Sequence, residues 1–218
     1  MRLPKERSAR HPWFPYVAPF ALFILLTLAQ GSSAEAVVWV YPAKTVVVGL
    51  LIWYVMPGLP PPAMKHTGLG VVVGFAVFIL WVALEGLYPL LGTSRAFDPF
   101  GHLSAGWPYV WIAIRILGAT VIVAVIEEYF WRGFLLRWII NADFQKVAIG
   151  TFSWPSFLLT TALFASEHNR WLVGLLAGAA YNLLLYRTRS LYACIIAHGV
   201  TNLVLGIYVL TTGQWGFW

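Results

Sequence analysis

Two adjacent carboxylates, Glu127 and Glu128, and an arginine, Arg132, stand inside VIVAVIEEYFWRGFLLR (residues 121–137), a stretch otherwise almost wholly apolar. A charged side chain near the centre of a bilayer costs about 2.5–3.5 kcal/mol on insertion scales, so groups kept there are expected to be partnered and functional. On a helix, Glu128 and Arg132 share a face at i,i+4, a spacing that suits an ion pair. Glu127 sits about 100° round the helix from Glu128, which leaves its carboxylate free to face something else. Four more polar groups stand near or within apolar runs: His168 in FASEHNRW, His198 and Asn202 in AHGVTNL, and Asn182 in AAYNLL. His198 and Asn202, again i,i+4, can present an imidazole and a carboxamide to one point. Phe164 has the same spacing to His168 and places a ring beneath it. A carboxylate in a low-dielectric cavity is a usable base near neutral pH, and an amide aimed at a developing oxyanion contributes about 3–4 kcal/mol.

Membrane helices must position these groups. The chain of 218 residues is 60% hydrophobic with 10% charged residues, against about 25% charged in soluble proteins, and reads as one integral membrane domain over 1–218 with its chemistry within 121–205. Apolar runs of the length needed to cross about 30 Å of hydrocarbon fall at 13–29, 36–56, 69–88, 108–140, 152–168, 171–186 and 191–210. The expected fold is therefore all-α, a polytopic bundle of about seven transmembrane helices, with an eighth if the long fourth run breaks near Gly118 or Gly133. The proline-rich segment 56–68 and the polar segment 91–108 are connecting loops. If the fifth run ends at His168 on one side of the membrane, the seventh heads toward that side and carries His198 and Asn202 about 10–17 Å along it. The fourth runs away from that side. One cavity in that half can then receive Glu127, His168, His198 and Asn202.

The formal charge of +6 is scattered between apolar runs and forms no stripe, so nucleic-acid binding is not expected. Arg2, Lys5, Arg7, Arg10, Lys65, Arg137, Lys146, Arg187 and Arg189 fall on one side, against Arg95 and Arg170 on the other. That asymmetry predicts a cytoplasmic amino terminus and a retained first helix. Trp13, Trp39, Trp81, Trp107, Trp154 and Trp171 lie near run ends, as interfacial anchors do. Cys194 is the single cysteine, which excludes an internal disulfide and a multi-cysteine metal cluster; its expected role is packing.

E127-E128-Y-F-W-R132, F164-A-S-E-H168 and H198-G-V-T-N202 resemble the EExxxR, FxxxH and HxxxN motifs of the CPBP family, the intramembrane endopeptidases related to CAAX prenyl proteases and bacteriocin-immunity proteins. The motifs stand in family order on successive apolar segments, and R-T-R-S-L at 187–191 resembles the turn before the last of them. The resemblance covers about residues 121–205. Within the family, the chain is similar to the CAAX-protease-related proteins associated with exosortase systems. It implies an endopeptidase in a prokaryotic inner membrane acting on a membrane-associated or lipidated peptide, with no nucleic-acid partner. Glu127 would activate water with help from His168, His198 and Asn202 would polarise the scissile carbonyl, and Glu128 and Arg132 would stand behind them. CAAX-type processing would open the cavity to the cytoplasm, whereas the charge pattern opens it to the opposite side.

Zinc is the alternative to a cofactor-free reaction, and its ligands would be Glu127, His168 and His198; no HExxH pair preorganises such a site. The same buried polar set would also serve a non-catalytic binding protein or a small proton or solute transporter, although matched broken helices are not visible. Asn182 reads as an interhelical hydrogen-bond partner and Glu167 as a solvated loop residue. Lys44 reads as a snorkelling cation, with pairing to Glu85 or to a substrate carboxylate as the other option. Arg115 resembles Lys44, with contact to substrate as the other option if the cavity opens at that end. His11, His66 and His102 read as loop residues without a role.

Overall fold

Helix boundaries follow the capping chemistry of the chain. The computed structural model describes residues 11–31, 33–61, 63–92 and 96–218. Among these are eight helices: α1 (Phe14–Gln30), α2 (Ala34–Val55), α3 (Thr67–Ala83), α4 (Pro99–His102), α5 (Trp107–Ile140), α6 (Trp154–Ser166), α7 (Trp171–Thr188) and α8 (Leu191–Thr212). Ser33, Ser153 and Ser190 precede α2, α6 and α8, and each hydroxyl accepts a hydrogen bond of 3.2 Å from the backbone N–H three residues on, which satisfies a donor that the first turn leaves orphaned. Arg189 and Gly213, both left-handed, end α7 and α8.

Seven of these helices coincide with the seven apolar runs, and α4 is a short turn in the loop before α5. Three segments, Ala34–Gly58, Trp107–Ile140 and Leu191–Thr212, are long and apolar enough to cross a membrane, while α1 and α3 are shorter apolar helices. The third run falls short of its expected end at 88, because α3 stops at Ala83 and the chain turns through Gly86 at φ +77°. The fourth run does not break. Its 34 residues form one helix of about 51 Å at 1.5 Å per residue. The expected break points are instead π-helical turns, Gly118–Val123 and Tyr129–Leu135. Arg2, Lys5, Arg7, Arg10 and Arg95, which belong to the charge asymmetry, lie outside the described residues.

Helix α8 runs through the interior, in contact with α3, α5 and α7. Small residues bring the backbones together, as van der Waals packing in membranes favours. A Cβ on Gly74 of α3 would lie 2.5 Å from the Ala197 carbonyl oxygen of α8, and one on Gly70 would lie 2.7 Å from that of Ala193. Both glycines are therefore required by close approach, one turn apart. Phe164, Tyr181, Leu185, Trp131 and Cys194 fill the core beside them. The buried Cys194 thiol donates to the Tyr181 carbonyl at 3.4 Å, in keeping with a packing role.

Candidate active site

Glu127 and Glu128 end a five-residue α-helical stretch, Ala124–Glu128, that lies between the two π turns of α5. Such wide turns occur often at functional sites, because each extra residue shifts the phase of everything after it. The two neighbours consequently meet different surroundings.

Glu128 is sealed in, at 0% exposure. Its Oε1 accepts from Arg132 Nη1 at 3.1 Å and faces His198 Nδ1 at 2.9 Å. The Arg132 guanidinium also donates through Nε to Asn182 Oδ1 at 3.0 Å and through Nη2 to the Gly178 carbonyl at 3.1 Å. Asn182 passes the chain on, its amide donating to the hydroxyls of Thr160 and Thr161 at 3.0 and 3.1 Å. The Phe164 and Tyr181 rings face the Arg132 guanidinium at 4.6 and 5.4 Å, and His198 stacks on Tyr181 at 5.4 Å and 23°. One buried polar network thus joins α5, α6, α7 and α8. Asn182 bonds between helices, as its sequence position suggests.

Glu127 opens the other way, into a cavity of about 310 Å³ that is also lined by Glu167, His168, Asn202 and Arg115, with Trp81, Val123, Leu205, Phe217 and Trp218 among its apolar walls. The carboxylate is 7% exposed and its Oε2 has no hydrogen-bond partner. His168 Nδ1 lies 2.8 Å from the Phe164 carbonyl. A carbonyl only accepts, so Nδ1 carries the proton and Nε2 is left as an acceptor in the neutral ring. Trp81 packs edge-on against that ring at 5.4 Å. Asn202 donates through Nδ2 to the Ala119 carbonyl, in the first π turn, at 2.9 Å, and its second amide N–H remains available.

Of the four residues expected to meet, Glu127, His168 and Asn202 line the cavity. His198 stands one layer behind, held by Glu128 and Tyr181. Among the described residues no three His, Cys, Asp or Glu side chains come together as a metal site requires, so Glu127, His168 and His198 as they stand do not fit zinc.

Glu167 lines the cavity from its mouth and was not legible as a site residue. Its position directly before His168 was the available signal. Glu85 pairs with Arg170, not Lys44, through two hydrogen bonds of 2.6 Å. Arg170 also donates to the Gly216 carbonyl at 3.1 Å and faces the Phe217 ring at 4.3 Å. A residue legible only as an orientation charge therefore fastens the segment 215–218 against the cavity. Residues 109–204 match the family model for Type II CAAX prenyl endopeptidase Rce1-like proteins. Neither a curated protein nor a solved structure matches the chain.

Proposed function

Residues 109–204 form a domain of the Rce1-like (CPBP) CAAX prenyl endopeptidase family, and from that premise we propose that the protein hydrolyses a peptide bond of a membrane-associated or lipidated peptide at the Glu127 cavity. The family implies an intramembrane protease-like function and a peptide substrate. The observation that carries the finer reading is the convergence of an unpartnered Glu127 oxygen, His168 and Asn202 on one cavity beneath apolar walls.

In the proposed reaction a water sits between Glu127 and Nε2 of His168. Glu127 takes one of its protons, and the oxygen adds to the scissile carbonyl carbon. Negative charge then develops on the carbonyl oxygen. The spare Asn202 N–H donates to it from the cavity, and His198, held by Glu128, acts from the layer behind. Collapse breaks the C–N bond, and Glu127 returns its proton to the leaving amine nitrogen. Arg132 holds Glu128 in place through their 3.1 Å contact, and so takes no direct part. The apolar walls exclude bulk water, which strengthens each of these interactions.

We place the protein in a prokaryotic inner membrane, with the cavity on the half opposite Lys65, Arg137, Lys146, Arg187 and Arg189. The test is cleavage of membrane-anchored peptides by the purified protein in detergent, read by mass spectrometry. Glu127→Gln should lower turnover by about 10²–10⁴-fold, the usual contribution of a general base. Full turnover by that variant would sink the mechanism.

A further inference from the structure

Helix α8 ends at Gly213, whose backbone is left-handed at φ +68°, and the chain turns back so that Phe217 packs edge-on against Tyr208 of α8 at 5.8 Å. Trp215–Phe217 form one 3₁₀ turn, closed by hydrogen bonds from the Phe217 and Trp218 amides to the Gln214 and Trp215 carbonyls at 3.2 and 3.1 Å. These internal bonds let the turn move as one piece. A Cβ on Gly213 would meet no atom within 4 Å, and glycine admits φ of either sign, so the joint between α8 and the turn is free to swing as element-terminal hinges do. Phe217 and Trp218 line the Glu127 cavity, and Trp218, with Arg115, also lines a second cavity of about 460 Å³. Trp218 thus stands between the two spaces, with the Trp111 ring at 6.2 Å and Cζ of Arg115 at 5.8 Å.

The turn is held from other elements. Arg170, directly before α7, donates to the Gly216 carbonyl at 3.1 Å and lies 4.3 Å from the Phe217 ring. Glu85, just past α3, fixes that guanidinium with two bonds of 2.6 Å, the bidentate geometry that gives such pairs both strength and direction. At about 310 Å³ the Glu127 cavity is small for a ligand pocket, and the wall that limits it on one side is this turn. We propose that residues 213–218 are a gate to the Glu127 cavity, hinged at Gly213 and latched by Arg170 through Glu85, which swings out to admit a ligand and in doing so joins the two cavities. Loss of the latch raises the population of the open state. The gate follows from the packing around the cavity, and only its meaning for hydrolysis rests on the proteolytic reading above: a peptide reaches Glu127 after the turn has left.

Thiol labelling tests this without turnover. In full-length Cys194→Ala protein in detergent, Val123→Cys places a thiol on the cavity wall, and its rate of reaction with a charged, water-borne methanethiosulfonate reports how often the gate is open. Arg170→Gln should raise that rate about tenfold or more, as loss of a charge-assisted hydrogen bond implies. Arg170 is not among the described residues that line either cavity, so its truncation widens nothing by itself, and a faster rate means that the turn has moved. The movement is read separately from spin labels at Gly68→Cys and Gly216→Cys, two sites where a Cβ would meet open space; Arg170→Gln should add a longer distance to the distribution. Native Cys194, fully buried, reports general loosening and should stay unreactive in Arg170→Gln protein that carries no engineered cysteine. If it reacts there, Glu85→Gln, whose side chain is 33% exposed, carries the test with the same expectation. An unchanged rate, unchanged distances, or a rate that rises only together with that of Cys194 in both variants overturns the gate. Peptide cleavage is scored apart from it. A protein that cleaves while its labelling rate ignores the latch refutes the gate and keeps proteolysis, whereas faster labelling of the latch variants in a protein that cleaves nothing does the reverse.

Discussion

Glu128→Gln should cost far more stability than Glu127→Gln, although the residues are neighbours of one type. Replacing the Glu128 carboxylate removes the one carboxylate that, among the described residues, pairs with the Arg132 guanidinium, which is 1% exposed and would keep two neutral acceptors there, Asn182 and the Gly178 carbonyl. Breaking a buried ion pair by removing one partner destabilises by about 3–5 kcal/mol. That is a large share of the roughly 5–15 kcal/mol that holds a typical domain folded, and corresponds to a fall in melting temperature on the order of 10 °C. One oxygen of each carboxylate is unpartnered, but among the described residues Glu127, unlike Glu128, forms no ion pair, so its amide should melt within about 1 kcal/mol of wild type. The assay is thermal unfolding in detergent followed by tryptophan fluorescence, for which the chain has twelve indoles. A double variant, Glu128→Gln with Arg132→Met, removes charge and counter-charge together. It should recover part of the loss, giving a coupling of about 1–3 kcal/mol. If Glu128→Gln melts with the wild type, or if the double variant loses the sum of the two singles, the buried pair does not do what its geometry implies.

Asn202→Ala removes the cavity's amide donor and should lower kcat by about 10²–10³-fold with little change in KM, checked on whichever peptide the wild type cleaves; an equal loss in binding would show a structural role instead. Gly74→Leu forces side-chain atoms toward the Ala197 carbonyl, only 2.5 Å from where its Cβ would sit, and should destabilise by about 1–3 kcal/mol or more in the same melt. Orientation is read by membrane-impermeant thiol labelling in the Cys194→Ala background. Ser104→Cys should label from outside intact cells and Gln145→Cys, exposed beside Lys146, should not, and the reverse pattern would turn the cavity toward the cytoplasm.

The seven apolar runs and the motif residues were legible because each rests on local pattern: run length for the helices, i,i+4 spacing for Glu128 with Arg132 and for His198 with Asn202. What escaped the sequence is phase between helices. Spacing of 3.6 residues places His198 and Asn202 on one face, yet Asn202 reaches the cavity while His198 turns to Glu128. The two π turns of α5 shift its phase relative to α8, and no 3.6-residue period carries that shift. The Gly70/Gly74 spacing was present in the sequence and marks a close helix pair. Its partner helix, however, is far away in the chain, and a small-residue stripe does not say which helix fills it.

The division of labour between Glu127 and Glu128 follows from the same phase. A pair of carboxylates in an apolar interior cannot both go without compensation. The Glu128 side of α5 faces the small residues and hydroxyls of α6 and α7, where Gly178 lets a guanidinium approach a backbone carbonyl and Asn182 passes the interaction to Thr160 and Thr161. That side supplies a counter-charge and four helices to hold it. About 100° away, Glu127 meets the widened turn at 118–123, the end of α6 and the second half of α8, which leave a space, and among the described residues no cation pairs with it. A charge balanced on one side fixes the helix, and this fixity is what allows its neighbour to remain an unpartnered base.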